Sequence, residues 1–247
     1  MNIVITGDEG FIGSHLKRRL ENYGDTVIGW DAKSGKDIEE FSLDPNTDFV
    51  IHLAAIADVR RSINDPDLYW EENVLKTKKV QDWCHFANVP LLYASSSCVH
   101  SWGKSPYGMS KKVNELTAHR NQVGMRFTTV YGDGARDTMF MGKLQRGELT
   151  YVTEHKRDFI HISDVVQAIC LLMENYHNLS QPAYDIGTGT NNVVKDIAEL
   201  AGYTVPISVG FDCESTDNTA NITHLQSDTD WRPLVDVKKY VSDKFTF

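Results

Sequence analysis

Asn2-Ile3-Val4-Ile5-Thr6-Gly7-Asp8-Glu9-Gly10-Phe11-Ile12-Gly13 is the stretch on which the fold turns. Its first five residues read as a short buried strand. They open directly into glycines at every third position, and Ser14-His15-Leu16-Lys17-Arg18-Arg19-Leu20 continues with apolar residues at helical spacing. Strand, glycine-rich turn and helix together let a backbone approach a pyrophosphate closely, with the anion resting on the helix N-terminus. The spacing is G-x-x-G-x-x-G rather than the more familiar G-x-G-x-x-G. This context predicts an α/β fold, a doubly wound parallel sheet of Rossmann type with a dinucleotide site.

A second strand, Thr26-Val27-Ile28-Gly29-Trp30, ends on Asp31, 18 positions past Gly13. An acidic side chain there accepts from ribose hydroxyls and repels a 2′-phosphate, which favours NAD over NADP. Asp48 to Ala55 reads as a third strand, and its small terminal residues would let a cofactor lie across the strand end. Residues 67–88 read as one long helix, and Val89 to Ala94 as a fourth strand delivering Ser95-Ser96-Ser97-Cys98 at its carboxyl end, the edge where open parallel sheets do their chemistry. Tyr107 and Lys111 follow, four residues apart on one helix face. A free tyrosine, with a pKa near ~10, is a poor base; a fixed ammonium beside it favours the phenolate, and a serine hydroxyl can hold the oxygen whose proton moves. Further on, Ile162 to Tyr176 reads as a helix with Asp164 as its N-cap. Ala183 to Ile186 reads as a late strand, Val193 to Ala201 as a helix, Phe211 to Asn221 as a polar surface loop, and the tail from Ile222 as closing a small lobe.

The 247 residues, 41% of them hydrophobic, suit one large domain or a domain with a small lobe. Lys+Arg 25 against Asp+Glu 34 gives a net charge of -9, which argues against nucleic acid or an anionic membrane as partner. Cys84, Cys98, Cys170 and Cys213 show no metal-type spacing and read as reduced thiols. With no basic-then-apolar leader before Ile3 and no apolar run of spanning length, the chain reads as soluble, cytoplasmic and without a metal centre.

Taken in order, these residues resemble the extended short-chain dehydrogenase/reductases, specifically the NAD-dependent nucleotide-sugar epimerase/dehydratase family. The resemblance rests on the glycine turn, Asp31, His52-Leu53-Ala54-Ala55, Asn73, the serine run, and Tyr107 with Lys111. It continues through Arg126 to Gly132, Arg157-Asp158-Phe159-Ile160-His161, Tyr184 to Gly189, and Asp230-Trp231-Arg232-Pro233. It implies that Gly7, Gly10, Phe11, Ile12 and Gly13 hold the NAD pyrophosphate and Asp31 the adenosine ribose. Asp37 and Ile38 would bracket the adenine, Leu53, Ala54, Ala55 and Asn73 complete the cofactor site, and Lys111 bind the nicotinamide ribose while depressing the pKa of Tyr107. Counting back three from Val99 makes Ser96 the catalytic hydroxyl. Arg157 would grip the substrate pyrophosphate, the alternative being an ion pair with Asp158, and His161 would be structural. The resemblance also implies 1–132 and 158–190 as the NAD-binding Rossmann domain, 133–157 and 191–247 as the small substrate-binding lobe, and a homodimer through helices at 67–88 and 107–121.

The implied chemistry is transient oxidation of a nucleotide sugar: Tyr107 takes a hydroxyl proton, Ser96 holds the oxygen, and hydride passes to NAD. Dehydratases of this family carry an acid pair after the catalytic hydroxyl, and Ser97 and Cys98 stand there instead. Ser96-Ser97-Cys98 resembles the 3,5-epimerising members of the GDP-fucose synthase type, whose second acid/base group, a histidine or lysine, should follow Val130-Tyr131-Gly132. None appears before Lys143. Inversion at C4 is therefore the leading expectation, with a 3,5-epimerase/4-reductase using Cys98 and a non-catalytic NAD(H)-binding module as alternatives. Three features depart from the family pattern: ten residues (97–106) between Ser96 and Tyr107, only 24 (133–156) between Gly132 and Arg157, and Thr129 where many relatives place a phosphate-contacting asparagine.

Overall fold

The computed structural model describes residues 1–245. Strands β1 (Asn2–Thr6), β2 (Thr26–Trp30), β3 (Phe49–His52), β4 (Leu91–Ser96) and β5 (Gln122–Phe127) join Ala183–Ile186 in a six-stranded sheet. The order is Ala183–Ile186, β5, β4, β3, β1, β2, and every pairing is parallel. Side chains alternate across the strands, so two apolar layers form. Ile3, Ile5, Phe49, Ile51 and Leu92 pack against Leu16 and Leu20 of the helix Phe11–Asn22 and Val165 and Ile169 of the helix Ile162–Glu174. Val4, Val50, Leu91 and Tyr93 pack on the other face with Val80 and Cys84 of the helix Lys76–Phe86. Burial on both faces is why these strands are apolar without interruption. From β1 the chain winds outward to β2, then crosses to β3 on the opposite side, so the carboxyl ends of β1 and β3 open a crevice.

A smaller apolar cluster gathers Met141, Leu144, Val152, Phe159, Ile197 and Val241. The expected lobe took in all of 191–247, and the packing divides that tail. The helices Val194–Leu200 and Val237–Phe245 pack in the smaller cluster, while between them Leu225 and Trp231 belong to the main core, where the Trp231 indole donates to the Asp164 carbonyl (3.2 Å).

Several local readings change. The long helix begins at Pro66, passes through a π-helical segment, Trp70–Leu75, and ends at Phe86. The wider turn faces both Asn73 and Val74 inward. β4 starts at Leu91 because the Val89 amide still closes the preceding helix onto the Cys84 carbonyl (2.9 Å). Asp164 is not the N-cap of its helix: His161 is, accepting from the Ser163 amide (3.3 Å). The buried Asp164 carboxylate instead accepts from the Leu234 and Val235 amides (3.1 and 3.0 Å), tying down the tail.

Candidate active site

Gly7 turns with φ +74°, a left-handed conformation, and its amide donates to the Trp30 carbonyl (2.8 Å). A Cβ on Gly7 would lie 2.7 Å from the Ala54 nitrogen, and one on Gly13 2.1 Å from the Gly7 carbonyl oxygen. The turn is therefore sealed against β3 and the helix start by backbone alone. Gly10 caps the helix without a side chain, and Phe11, Ile12 and Gly13 line the cleft, so the unpaired amides of the first turn are free for an anion. This cradle fits the pyrophosphate of a dinucleotide.

The other candidate cofactor residues divide. Leu53 and Ala55 line the cleft, while the Ala54 amide donates to the Thr6 hydroxyl (3.3 Å). Asp31 stands at the end of β2, accepting from the Lys33 amide (2.9 Å) and the Glu9 amide (3.2 Å), which fastens it to the glycine turn. Asp37 accepts from the Glu39 amide and pairs with Lys76 (3.0 Å), contacts that hold its carboxyl below the usual range. Ile38 is buried in the core. Asn73, fully buried, brackets Ile56, accepting from its amide (2.8 Å) and donating to its carbonyl (2.9 Å). Asp31, Asp37, Ile38 and Asn73 thus flank or support the cleft rather than line it.

Ser96, Cys98, Tyr107, Lys111, Thr129 and Arg157 share the wall of one cleft of about 700 Å³, within the range of small-molecule sites. Strand alternation sends the Ser95 hydroxyl away to Glu115 (2.6 Å), while the Ser96 hydroxyl accepts from the Cys98 amide (3.2 Å). Tyr107 is the second residue of the helix Pro106–Thr117, whose start is set by Pro106 and by the Ser105 hydroxyl accepting from the Gly108 amide (3.0 Å). Burial pushes the Tyr107 phenol above its ordinary value and the Cys98 sulfur adds to this; a hydrogen bond with Ser96 and the Arg136 charge pull the other way. The expected depression by Lys111 therefore does not govern: burial outweighs the favourable charges. Lys111 is itself pushed down to about 8 by burial, and its ammonium donates to the Ala94 carbonyl (3.0 Å). Beneath it, His52 is held between the Thr6 hydroxyl (2.6 Å) and the Thr77 hydroxyl (2.9 Å), and burial with the Lys111 charge lowers it to about 3.

Beside Ser96, burial raises the Cys98 thiol, which disfavours the thiolate. The Thr129 hydroxyl accepts from the Asn218 amide group (3.2 Å). Arg157 is not paired with Asp158. It donates to the Glu214 carboxylate (3.2 Å) and the Ser215 carbonyl (2.7 Å), while the buried Asp158 accepts from Thr188, Gly189 and Ala220 amides. Three further residues enter that sequence reading did not assign to the site. Arg60 lies on the loop leaving the carboxyl end of β3, an edge already marked as functional; Arg136 follows the Val130-Tyr131-Gly132 turn; Glu214 comes from the supposed surface loop and carries no local signal.

The family model described as the NAD dependent epimerase/dehydratase family matches residues 3–187. Protein CapI of Staphylococcus aureus is 32% identical over 232 residues, covering 70% of each chain. UDP-glucuronate 4-epimerase 2 of Arabidopsis thaliana is 28% identical, covering 69% of this chain and 54% of that one. Among solved structures, MoeE5 in complex with UDP-glucuronic acid and NAD matches with a TM-score of 0.84 at 29% identity, covering 98% of this chain and 97% of its own.

Proposed function

The chain belongs to the NAD-dependent epimerase/dehydratase family, and on that premise we propose that it inverts C4 of a nucleoside diphosphate sugar through a transient 4-keto sugar. One observation carries the reading: an anion-cradling glycine turn, Ser96, Tyr107 and Lys111 meet in a single cleft, with no carboxylate at positions 97 and 98 to drive elimination of water. NAD, when bound, supplies the two-electron acceptor that takes hydrogen from C4 and returns it. Gly7, Gly10, Phe11, Ile12 and Gly13 would hold its pyrophosphate, Asp31 its adenosine ribose, Asp37 and Ile38 its adenine, and Lys111 its nicotinamide ribose, with Leu53, Ala54, Ala55 and Asn73 shaping the floor. Tyr107 takes the C4 hydroxyl proton and later gives it back, and Ser96 holds that oxygen in both directions. Lys111, cationic below about 8, supplies the charge that favours the phenolate during transfer.

Arg157 and Arg60 suit the diphosphate, where planar guanidinium groups match the geometry. Arg136 lines the cleft, donates to the Ala57 carbonyl (2.9 Å) and forms no ion pair among the described residues, which supports a sugar bearing its own negative charge. The UDP-glucuronate named for the Arabidopsis relative and for the MoeE5 complex carries such a charge. The test is proton NMR in heavy water with NAD and a panel of UDP-, GDP- and dTDP-sugars that includes UDP-glucuronate. The expected product is inverted at C4 without deuterium. Deuterium at C3 or C5 would overturn this and favour the 3,5-epimerase reading, which rests on Cys98 lying near enough to Tyr107 to act on its charge. Tight NAD binding without turnover of any sugar would support a binding module.

A homodimer is part of the proposal, because Trp83 and Phe86 on Lys76–Phe86 and Met109 and Leu116 on Pro106–Thr117 are exposed. No helix among the described residues is long and apolar enough to cross a membrane, in keeping with a proposed cytoplasmic setting.

A further inference from the structure

Tyr107, Lys111 and Glu115 follow one another at four-residue intervals on the helix Pro106–Thr117, so one helix face carries all three. The first two line the cleft, and Glu115 does not. Its carboxylate turns to the sheet instead. There the Ser95 hydroxyl donates to Oε1 (2.6 Å), and Arg126 grips both oxygens, Nε on Oε1 (2.7 Å) and Nη2 on Oε2 (2.8 Å). Ser95, Arg126 and Asp185 stand in register on adjacent parallel strands, each one residue before its strand's carboxyl end, and so share one face of the sheet. Arg126 Nη1 lies 3.5 Å from Asp185 Oδ1, and the Asp185 carboxylate is held in turn by the His100 ring (3.0 Å) and the Asn221 amide (3.0 Å).

Glu115, Arg126 and Asp185 lie outside the cleft lining, so none of them meets a substrate there. The Glu115 and Asp185 side chains are 8% and 6% exposed. Buried ion pairs add little net stability, because desolvation offsets the attraction. What a two-point guanidinium–carboxylate contact fixes well is relative position. Here it joins the helix that carries Tyr107 and Lys111 to the strand that carries Ser96, one residue past Ser95. The Lys111 ammonium on the Ala94 carbonyl (3.0 Å) is the neighbouring tie between the same two elements.

We propose that Glu115 and Arg126 are positioning residues of the reaction: their two-point contact sets the register of the Pro106–Thr117 helix against β4, and with it the separation of the Tyr107 and Ser96 hydroxyls. The inference rests on the reading that Tyr107 and Ser96 act together at C4 of a nucleotide sugar. A misplacement of about 1 Å between two groups that share one oxygen lowers the rate by up to roughly 10²-fold. Binding of NAD and of the diphosphate rests in that reading on the glycine turn and the opposite wall, which this contact does not touch.

The experiment compares the full chain with its Glu115→Gln and Arg126→Lys variants. NAD sites are counted by calorimetry, and turnover is followed by proton NMR with the panel sugar that the unsubstituted chain inverts, both unlabelled and deuterated at C4. Glutamine keeps an acceptor for Ser95 and loses the charge; lysine keeps the charge and loses the two-point contact. The expected result is a fall of about tenfold to hundredfold in kcat per NAD site in both variants. KM and NAD affinity should stay unchanged, and the deuterium isotope effect on kcat should be at least as large as in the unsubstituted chain. If Glu115→Gln does not fold, Arg126→Lys, which leaves the buried carboxylate paired with a cation, carries the test. An unchanged kcat in Arg126→Lys overturns the inference and leaves the epimerase reading standing, since the pair would then serve only to neutralise charge. A loss that appears only as fewer NAD sites or a raised KM, or that brings a smaller isotope effect, overturns it as well, because folding, binding or release rather than hydrogen transfer would have suffered. An unsubstituted chain that inverts no sugar removes the epimerase reading, and this inference with it.

Discussion

Tyr107 and Lys111 share a buried helix face, and burial moves both toward their neutral forms: the phenol upward, the ammonium down to about 8. In the proposed mechanism, proton transfer at neutral pH therefore depends on the Tyr107 hydroxyl itself. Tyr107→Phe should lower kcat by about 10²- to 10⁴-fold while leaving the thermal midpoint nearly unchanged, as read by the NMR assay and by circular dichroism. His52 answers to pH through stability. Its folded value of about 3 lies below its ordinary 6.5, so the unfolded chain takes the proton first. Stability should accordingly fall as pH drops from 6.5 toward 3, by up to roughly 1.4 kcal/mol per pH unit from this group, and His52→Gln should flatten that slope in urea unfolding at pH 7 and 5. Lys111 works in the alkaline window: folded about 8 against 10.5, it makes stability rise with pH between those values. Equal slopes in the unsubstituted chain and the His52 variant would count against the buried, neutral histidine. The identity of these groups could be read from spacing; the direction of their shifts could not, because desolvation depends on what the rest of the chain lays over them.

The π-helical segment Trp70–Leu75 shows what an element contributes beyond its residues. An unbroken α-helix through 67–88 satisfies the same apolar spacing, so the extra residue per turn is invisible to periodicity. Its consequence is Asn73, whose amide group meets both backbone polar groups of Ile56 and so pins the loop that carries Arg60 into the cleft. Asn73→Ala should cost about 2 kcal/mol by leaving those groups unsatisfied, measured by urea unfolding, with faster amide exchange around Ile56. Full protection there would show that the loop holds itself. The glycine turn was legible for the opposite reason: its strand, turn and helix are contiguous, and the close approach of Gly7 to Gly13 is a local matter. Asp164 misleads as a cap because its carboxylate is claimed by Leu234 and Val235, some seventy positions along the chain.

For the whole molecule the prediction concerns assembly. Phe86 is 80% exposed and Leu116 72%, each on a helix proposed to face a second copy. Sedimentation should show a dimer, and Phe86→Glu with Leu116→Glu should give a folded monomer; a monomeric unsubstituted chain would end the proposal. The division between what was legible and what was not follows from distance along the chain. Local order determined the glycine turn, the parallel strands, and the serine, tyrosine and lysine at the carboxyl edge, because each is written in contiguous residues with its own period or turn chemistry. How the charges on the opposite wall of the cleft pair was decided only by tertiary structure. Arg60, Arg157 and Glu214 are far apart in sequence and belong to no shared motif, and they meet because the sheet and the smaller cluster bring three unrelated segments to one edge. A charge's partner is chosen by proximity in space, which residue order specifies only through the completed fold.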